Sequence, residues 1–330
     1  MRIIITGGEG FIGFAVAEKL IDQGHNVISI DVRNQNSYVD YSRNVDFRKA
    51  DLQTIDVVNK IVEKADGIIH LGAVSRVLWA EDYPLTCIDV NIKGTLNILK
   101  SAKKLDKKPW IIFGSSREVY GETNGERIAE NQPSIPINIY GVSKVAAEQL
   151  TKSYSHQNNI RSLSLRFSNV YGGLTDILDR VIPRFIINSL LNKPVEIHGG
   201  EQIFDFTYID DTVNGILSAV DFLSNLDEQT PHYDVFNILP GNGNTLYDVV
   251  NIIQDSFDHE IKLDHTPKRF YDVEKFVGDP TKAKMKLKFE CKTPLKIGIN
   301  ETVKIYSTEY KNNKKKLLRK FQEDSKFVLQ

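Results

Sequence analysis

The residues best suited to chemistry in this sequence are Tyr140 and Lys144, in the segment Tyr-Gly-Val-Ser-Lys. On a helix this spacing places both side chains on one face. The spacing alone is weak evidence, because it recurs at Tyr271 and Tyr310, and we interpret both of those pairs as ordinary surface residues. The first pair differs in its setting, since a predicted strand ending near Ser116 and a proline-containing loop lead into its helix.

Together these three side chains are able to take a proton from an alcohol. A tyrosine acts as a base only if its pKa falls from about 10 to near neutrality, which requires about 4 kcal/mol. A lysine ammonium about 4 Å away supplies about that free energy at an effective dielectric constant near 20. Ser116 would hydrogen-bond the reacting oxygen and fix its position. We therefore predict Ser116, Tyr140 and Lys144 as catalytic residues in the oxidation of a hydroxyl group.

A glycine-rich loop near the N-terminus predicts the hydride acceptor for this oxidation. Gly7, Gly10 and Gly13 follow the first apolar run, and the loop opens directly into a helical pattern at Phe11 and Ile12. This spacing allows a tight turn, close approach of a pyrophosphate, and close packing of the helix on the sheet. The N–H groups of the helix N-terminus then favour the phosphates, so the loop predicts a dinucleotide site.

The residue that ends the second predicted strand, Asp31, bears on the choice of dinucleotide. Its carboxylate would accept hydrogen bonds from the adenosine ribose, and its charge would repel a 2′-phosphate. We therefore predict NAD as the cofactor. Arg33 leaves NADP open, because a guanidinium two residues later could pair with that phosphate.

Short apolar runs alternate with amphipathic helical patterns through the first half of the chain, as βαβ units require. The predicted fold class is α/β, a doubly wound parallel Rossmann-type sheet with a smaller C-terminal substrate lobe. Ligands bind such sheets beyond the C-terminal ends of the strands, which is where the motifs above fall. The predicted strands are 2–6, 27–31, 45–50, 67–71, 110–115 and 162–167, and the predicted helices start at Phe11 and Thr54 or span 85–103 and 140–156.

The regular alternation weakens after Gly172, and proline-separated short elements take over. We expect residues 1–172 to form the NAD-binding domain, with a further contribution from about 203–240. Residues 173–202 and 241–330 are expected to form the substrate-binding lobe. The basic segment between Lys311 and Lys320 is interpreted as a solvated terminal helix, because apolar and acidic residues accompany its lysines.

Composition narrows the possible partners. The 330 residues are 41% hydrophobic and 26% charged, with a formal net charge of -1, so the sequence gives no reason to expect nucleic acid as a partner. No apolar run approaches the length of about 20 residues that spans a bilayer, and the chain starts directly with a predicted strand. We expect a cytoplasmic protein without a membrane partner. Two distant cysteines support no metal site.

Taken in order, these motifs are specific enough to suggest a family. Over nearly its whole length the chain resembles an extended short-chain dehydrogenase/reductase of the NAD-dependent epimerase/dehydratase family, which acts on nucleotide sugars. The resemblance is carried by the glycine loop, the tyrosine–lysine pair and six further segments, which are Asp51-Leu52, His70 to Ala73, Asn91 to Thr95, Ser115 to Gly121, Arg166 to Gly172 and Asp205 to Asp211.

The resemblance implies further site residues. It places Asp51 and Leu52 near the adenine, and Asn169 and Arg269 at the substrate diphosphate. The full predicted cofactor site is Gly7, Gly10, Phe11, Ile12, Gly13, Asp31, Asp51, Leu52, Leu71, Gly72, Ala73, Asn91, Tyr140 and Lys144. The predicted substrate contacts are Ser115, Ser116, Arg117, Asn169, Arg180 and Arg269.

One position departs from the family pattern. Family members often carry an arginine just before the Asp-Phe of the last segment, where it binds the diphosphate, and this chain has Phe204. Arg180 or Arg184 is a candidate to compensate for the missing guanidinium.

The two residues after Ser116 help to choose among the reactions that the resemblance implies. In the family, hydride leaves C4 of the sugar, and a 4,6-dehydratase then uses an Asp-Glu pair directly after its hydroxyl residue. This chain has Arg117 and Glu118 there, and an arginine cannot donate a proton at neutral pH. The resemblance therefore favours a UDP-hexose 4-epimerase with Glu118 as a further catalytic residue.

Four alternatives stay open, and one of them is a small-molecule reductase that uses NADPH, which Asp31 disfavours. A 4,6-dehydratase is disfavoured rather than excluded, and a UDP-glucuronate decarboxylase would also carry a glutamate at the position of Glu118, with Arg117 facing a sugar carboxylate. A catalytically silent dinucleotide sensor would have lost the tyrosine or the lysine, and both are present. The resemblance also implies a homodimer built on the helices predicted at 85–103 and 140–156.

Overall fold

In a computed structural model, the structure describes residues 1–34, 45–123, 127–228, 230–269 and 271–326. The strands are β1 Arg2–Thr6, β2 Asn26–Asp31, β3 Asp46–Lys49, β4 Gly67–His70, β5 Trp110–Ser116, β6 Arg161–Phe167, β7 Val170–Tyr171, β8 Val195–His198, β9 Ile203–Asp205, β10 Thr207–Tyr208, β11 His232–Ile238, β12 Gly243–Thr245, β13 Leu263–Thr266 and β14 Lys275–Phe276. The helices are α1 Phe11–Asp22, α2 Ile55–Val62, α3 Val77–Asp82, α4 Pro84–Ile88, α5 Gly94–Lys104, α6 Ile139–Asn158, α7 Val181–Leu190, α8 Ile209–Ser224, α9 Leu246–Gln254, α10 Thr281–Lys286 and α11 Leu295–Asp324. Asp89–Lys93 is a π-helical turn and Arg117–Val119 is a 3₁₀ turn.

The main sheet is parallel throughout, in the order β11-β6-β5-β4-β1-β2-β3. Its central strands are apolar on both faces; Ile3, Ile4 and Ile5 of β1, for example, are completely buried. Such runs are expected where helices cover both faces of a sheet. Helices α1 and α8 pack together on one face, and α2, α5 and α6 cover the other. The predicted fold class is confirmed.

The strand order reverses between β1 and β4, which opens a crevice at the C-terminal edge of the sheet. The glycine loop follows β1, and the loop before α3 follows β4. Ser116 is the last residue of β5, as predicted.

The predicted strands and helices of this half match the observed ones to within about two residues. Two differences remain: α3 was not predicted, and the π-helical turn interrupts the helix predicted over 85–103.

A second hydrophobic core lies among the C-terminal elements. Helices α7, α9 and α11 pack around Phe185, Val249 and Tyr306, all of which are buried. A small sheet in the order β12-β9-β14 and the pair β8-β13 flank this core. These elements face the C-terminal edge of the main sheet across a cavity.

The basic terminal segment is a helix, as predicted, but the expectation that it is fully solvated is wrong. Leu317 is completely buried, and Leu318 and Phe321 pack against the second core. Lys320 donates a hydrogen bond to the carbonyl of Asp176 at 2.7 Å and pairs with Asp324. The apolar residues on one side of the segment therefore dock it onto the protein, although its backbone departs from helical geometry at Asn313.

The packing of β4 against β5 gives a stability prediction. A Cβ on Gly67 would lie 2.1 Å from ring atoms of Trp110, which is 2% exposed and has no room to move. We expect Gly67→Ala to lower the free energy of unfolding by about 2 kcal/mol through overpacking, measured by urea denaturation.

Gly94→Ala is the matched control for Gly67→Ala. The Cβ that it adds in α5 would meet only Leu52, at an ordinary 3.4 Å. We expect the unfolding free energy of this variant to stay within about 1 kcal/mol of wild type. Equal losses in the two variants would contradict the steric explanation.

Candidate active site

The glycine loop forms a close-packed cradle between the first strand and the first helix. Gly7 has a φ of +68°, and a Cβ there would lie 2.8 Å from the backbone nitrogen of Gly72. A Cβ on Gly13 would lie 2.2 Å from the carbonyl oxygen of Gly7. Helix α1 begins at Phe11 without a side-chain cap, so its first N–H groups are available to a phosphate. The residues present fit the pyrophosphate of a dinucleotide.

Asp31 lies at the end of β2 beside this cradle and is almost completely buried. Its carboxylate accepts hydrogen bonds from the Glu9 backbone N–H at 3.2 Å and from Nε and Nη2 of Arg33 at 3.0 and 2.9 Å. Arg33, the residue that could have paired with the 2′-phosphate of NADP, is therefore bound to Asp31. A 2′-phosphate that approached this guanidinium would also meet the Asp31 carboxylate. This arrangement agrees with NAD.

The predicted catalytic side chains converge at the C-terminal end of β5. Tyr140 and Lys144 lie in the first two turns of α6, whose N-cap Asn138 accepts a hydrogen bond from the Gly141 backbone N–H at 2.8 Å. Lys144 is 3% exposed, and its Nζ donates to the carbonyl oxygen of Gly114 at 2.8 Å. The same Nζ lies 5.6 Å from the centre of the Tyr140 ring. The ammonium is thus buried beside the phenol.

The electrostatics of this pair correct one part of the sequence argument. Burial raises the pKa of Tyr140 to about 12, against lowering contributions from the Arg180 charge and a Ser116 hydrogen bond. Burial also lowers the pKa of Lys144 to about 8. Lys144 alone therefore does not make the phenol acidic, because the same burial that strengthens its field also disfavours both charged groups. The positive charge of an oxidised nicotinamide beside the ring, which the sequence argument expects to assist Lys144, would lower the pKa of the phenol further.

Arg117 and Glu118, which follow Ser116, are held firmly in the 3₁₀ turn. Glu118 lies 2.8 Å from Nη2 of Arg117, and its other oxygen accepts a hydrogen bond from Asn138 Nδ2 at 2.8 Å. The guanidinium of Arg117 lies 4.7 Å from the centre of the Phe204 ring. The phenylalanine that departs from the family pattern therefore supports an arginine from another element.

Two predicted site residues direct their polar groups away from the cavity. Asn91 does not line it, because its amide bonds Val74 and the hydroxyl of Ser143 behind the wall. Ser115 lines it, yet its hydroxyl donates to Glu148 at 2.5 Å. Asn169 lines the cavity as predicted, with an amide hydrogen bond to the carbonyl of Asp205 at 3.1 Å.

A group of arginines lines the part of the cavity opposite Tyr140. Arg76 pairs with Asp179 at 2.8 Å, and its Nη1 is buried without a hydrogen-bond partner. The Nε of Arg184 is also buried without a partner, and burial lowers the pKa of this guanidinium, with Arg269 close enough to lower it further. Unpaired buried donors are costly, so this part of the cavity is suited to a polyanionic ligand.

All of these groups surround one cavity of about 1180 Å³. Its volume exceeds the roughly 300–1,000 Å³ that is usual for one ligand, so it accommodates a dinucleotide and a second nucleotide-sized molecule. Of the predicted site residues, those that line it are Gly7, Gly10, Phe11, Ile12, Gly13, Asp31, Asp51, Leu52, Leu71, Gly72, Ala73, Ser115, Ser116, Arg117, Glu118, Tyr140, Lys144, Asn169, Arg180 and Arg269.

Sequence reasoning missed several residues of this cavity. Arg76 lies at the end of the loop between β4 and α3, and a basic residue in the loop that follows a central parallel strand was a usable signal for it. Asp272 borders Arg117 and Arg269, and burial raises its pKa. Lys320 and Asp324 of α11 reach the cavity from the far end of the chain, where no local pattern announces the contact.

Comparisons with known proteins agree with this geometry. The family model "NAD dependent epimerase/dehydratase family" matches residues 3–238. UDP-glucose 4-epimerase from Thermotoga maritima, solved with UDP-glucose, is 30% identical, with a TM-score of 0.84 over 93% of this chain and 99% of that one. UDP-glucuronic acid 4-epimerase from Bacillus cereus, solved with UDP-glucuronic acid and NAD, is 25% identical, with a TM-score of 0.84 over 94% of this chain and 100% of that one. UDP-glucuronic acid decarboxylase 4 from Arabidopsis thaliana is 29% identical over 92% of this chain and 68% of its own length.

The parallel sheet with its crevice, the glycine cradle and the buried tyrosine–lysine pair define a nicotinamide-dependent short-chain dehydrogenase/reductase. The chain belongs to the NAD-dependent epimerase/dehydratase family, and its cofactor is NAD. In the described ranges, no helix is long and apolar enough to span a membrane, and no three His, Cys, Asp or Glu side chains are grouped as metal ligands.

The burial of Lys144 predicts a pH-dependent stability difference. Its pKa is about 8 in the folded protein and about 10.5 when the chain is unfolded, so the unfolded chain binds more protons between these values. The free energy of unfolding of wild type relative to Lys144→Met should therefore rise by about 3 kcal/mol as the pH increases from about 8 to about 10.5. Urea denaturation at half-unit pH steps measures this difference.

Lys152→Met serves as the control, because Lys152 is an exposed lysine on the same helix. It should show no comparable change with pH. A flat difference between wild type and Lys144→Met over the same range would show that the ammonium is not desolvated.

Proposed function

We propose that this protein is an NAD-dependent nucleotide-sugar 4-epimerase, acting on a UDP-hexose through a transient 4-keto sugar. The observation that carries the proposal is the convergence of Ser116, Tyr140 and Lys144 on one side of the cavity, with Arg117 where a dehydratase needs a proton donor. The arginines on the opposite side, among them Arg184 and Arg269, suit the diphosphate of the nucleotide.

The side chains divide the chemistry at C4 of the sugar. Bound NAD supplies the hydride acceptor and a positive charge near the phenol. Tyr140 takes the proton of the C4 hydroxyl as the hydride leaves, and returns it when the hydride comes back to the other face. Ser116 hydrogen-bonds the same oxygen and keeps it at the phenol. Lys144, fixed on the carbonyl of Gly114, stabilises the phenolate without itself reaching the sugar.

The surroundings of Arg117 support epimerisation over 4,6-dehydration. Elimination of a C6 hydroxyl requires an acid that protonates the leaving oxygen. A guanidinium stays protonated at any pH of interest, and the neighbouring Glu118 is engaged by Arg117 and Asn138. The turn therefore offers no free acid at the position where the dehydration step needs one.

A UDP-glucuronate decarboxylase is the second candidate. The observation in its favour is Glu118, which is buried directly beside Ser116 within the 3₁₀ turn. Decarboxylation needs the same oxidation at C4 and then loses carbon dioxide from C6. Product mass separates the two candidates, because an epimer keeps the mass of its substrate.

The site residues support a division of labour between two parts of the chain. We propose that residues 1–172, with about 203–240, bind NAD, and that residues 173–202 and 241–330 hold the nucleotide of the substrate. Gly7, Asp31 and Gly72 belong to the first part, and Arg180, Arg184 and Arg269 lie in the second, across the cavity.

The reaction is tested with purified protein and excess NAD. Incubation with UDP-glucose, UDP-N-acetylglucosamine or UDP-glucuronate should convert at least one of them to a mass-neutral isomer, read by chromatography and mass spectrometry. Loss of water or carbon dioxide would contradict epimerisation. Tyr140→Phe should lower kcat by about 10²- to 10⁴-fold, because the proton acceptor is removed.

Tyr154→Phe, in the same helix but outside the cavity, is the matched control and should leave turnover unchanged. If wild type turned over none of the three nucleotide sugars while binding NAD tightly, the silent-sensor alternative would be favoured instead.

We further propose a homodimer built on α4 and α6. Most of the exposed large apolar side chains in the described part of the chain cluster around these two helices, which contact each other. They are Tyr83, Leu85, Ile88, Ile135, Ile137 and Val142. A patch of this kind on a protein surface marks an association site.

The dimer is tested by light scattering coupled to size exclusion. Wild type should show twice the chain mass of 37.5 kDa. Leu85→Asp combined with Val142→Asp should give the monomer mass, because a buried interface disfavours unpaired charge. Met285→Asp, at another exposed apolar residue, should stay dimeric. A monomeric wild type would contradict this proposal.

A further inference from the structure

Arg117 is the cation closest in sequence to the predicted point of reaction, since it directly follows Ser116. Its side chain is 12% exposed and lines the cavity. Two aromatic rings of the small sheet contact its guanidinium. The ring centre of Phe204 in β9 lies 4.7 Å from the guanidinium carbon, and that of Phe276 in β14 lies 5.8 Å from it. Stacking on aromatic faces holds a guanidinium in place while leaving its edge N–H groups free to bind.

The hydrogen-bonding capacity of this guanidinium is only partly used. A guanidinium carries five N–H donors in a planar fork, and Glu118 meets one terminal nitrogen of Arg117 at 2.8 Å. Glu118 is itself held in place by Asn138. Arg117 lines the cavity, and a planar, two-oxygen anion is the group that such a fork binds best.

The position of Arg117 separates it from the arginines that suit a diphosphate. Arg184 and Arg269 are close enough to influence each other electrostatically. Asp272 lies within electrostatic reach of both Arg269 and Arg117. Arg117 enters the cavity from the turn after β5, directly beside Ser116, whereas Arg184 and Arg269 come from later elements of the chain.

We propose that Arg117, supported by Phe204, is a specificity-determining residue that binds a carboxylate on the sugar, and that the preferred substrate is a nucleotide hexuronate. This proposal rests on the proposed function, because it takes C4 as the reacting carbon held by Ser116. The carbon that bears C6 is bonded directly to C4. The C6 substituent therefore lies beside the residue that follows Ser116.

A carboxylate at C6 satisfies the buried cation, and a hydroxymethyl group does not. In the uronate complex the guanidinium gains charge-assisted hydrogen bonds at a desolvated position. With a neutral hexose, the same guanidinium keeps Glu118 as its one ion-pair partner at hydrogen-bonding distance in the described chain, and the Asp272 carboxylate acts on it only from further away. Specificity is thus the difference in binding free energy between two ligands that differ only in the substituent at C6.

The experiment compares UDP-glucuronate with UDP-glucose as substrates of wild type and four variants. Wild type should show kcat/KM for UDP-glucuronate at least about tenfold above that for UDP-glucose. Arg117→Gln should lower kcat/KM for UDP-glucuronate by about 10- to 100-fold, mainly through KM, and should lower kcat/KM for UDP-glucose by a clearly smaller factor. Arg117→Lys should recover part of the loss, because it keeps the charge without the fork.

Phe204→Leu tests the support of the guanidinium. It leaves Arg117 present but removes the ring beneath it, so the preference for UDP-glucuronate should fall by a smaller factor than in Arg117→Gln. Arg48→Gln, at an exposed arginine outside the cavity, should leave both substrates unaffected. Thermal unfolding of each variant shows that a changed preference does not reflect loss of folded protein.

Two outcomes would overturn the proposal. Equal losses for both substrates in Arg117→Gln would show that the guanidinium binds a part that they share, such as the diphosphate. Unchanged kcat/KM values for both substrates would show that Arg117 serves the fold of the turn alone.

A binding measurement separates failure of the proposed function from failure of the proposed role of Arg117. If wild type turned over neither sugar, binding of UDP-glucuronate and UDP-glucose by calorimetry in the presence of NAD would still test Arg117. Tighter binding of UDP-glucuronate by wild type, and its loss in Arg117→Gln, would support the carboxylate contact in the absence of turnover, whereas equal binding of the two would refute it.

Discussion

The burial of the Lys144 ammonium beside the Tyr140 ring is the interaction on which the site depends. The lysine donates to the carbonyl of Gly114 within β5, so the position of its charge is set by the sheet rather than by its own flexible chain. Burial strengthens the field that the phenol experiences and also disfavours both charged forms. The pKa of about 12 therefore keeps the phenol protonated near neutral pH, and a further positive charge close to the ring would lower that pKa.

In the second feature of the site, an aromatic ring stands at position 204, where the family pattern has an arginine, and an arginine from another element, Arg117, lies over that ring. A member of the family with an arginine at position 204 carries its guanidinium on the small sheet. This chain has Phe204 there, and Arg117 reaches across from the turn after β5 to lie over the ring. A cation is kept in the cavity, but it starts from the residue that follows Ser116 and hence lies at the Ser116 end of the cavity. Arg76 and Arg184 add buried donors at the opposite end.

The far end of the chain also takes part in the cavity wall. The carboxylate of Asp324 accepts a hydrogen bond from the backbone N–H of Leu178 at 2.8 Å, and Lys320 bonds the carbonyl of Asp176. Tyr306, earlier in α11, donates to the carbonyl of Gly173 at 3.0 Å. The segment between β7 and α7, which carries Arg180 into the cavity, is thus held by the terminal helix.

The sequence by itself determined the parallel sheet, the glycine cradle, Asp31, and the Ser116, Tyr140 and Lys144 site, because each is encoded by a short pattern with a fixed position relative to a strand or helix end. The tertiary structure alone decided which groups meet, including the stacking of Arg117 on Phe204, the buried nitrogens of Arg76 and Arg184 that lack a hydrogen-bond partner, and the docking of α11. It also placed Asn91 behind the cavity wall and showed that burial opposes the phenolate. These outcomes depend on distances between elements far apart in sequence and on desolvation, and neither quantity is present in a local pattern.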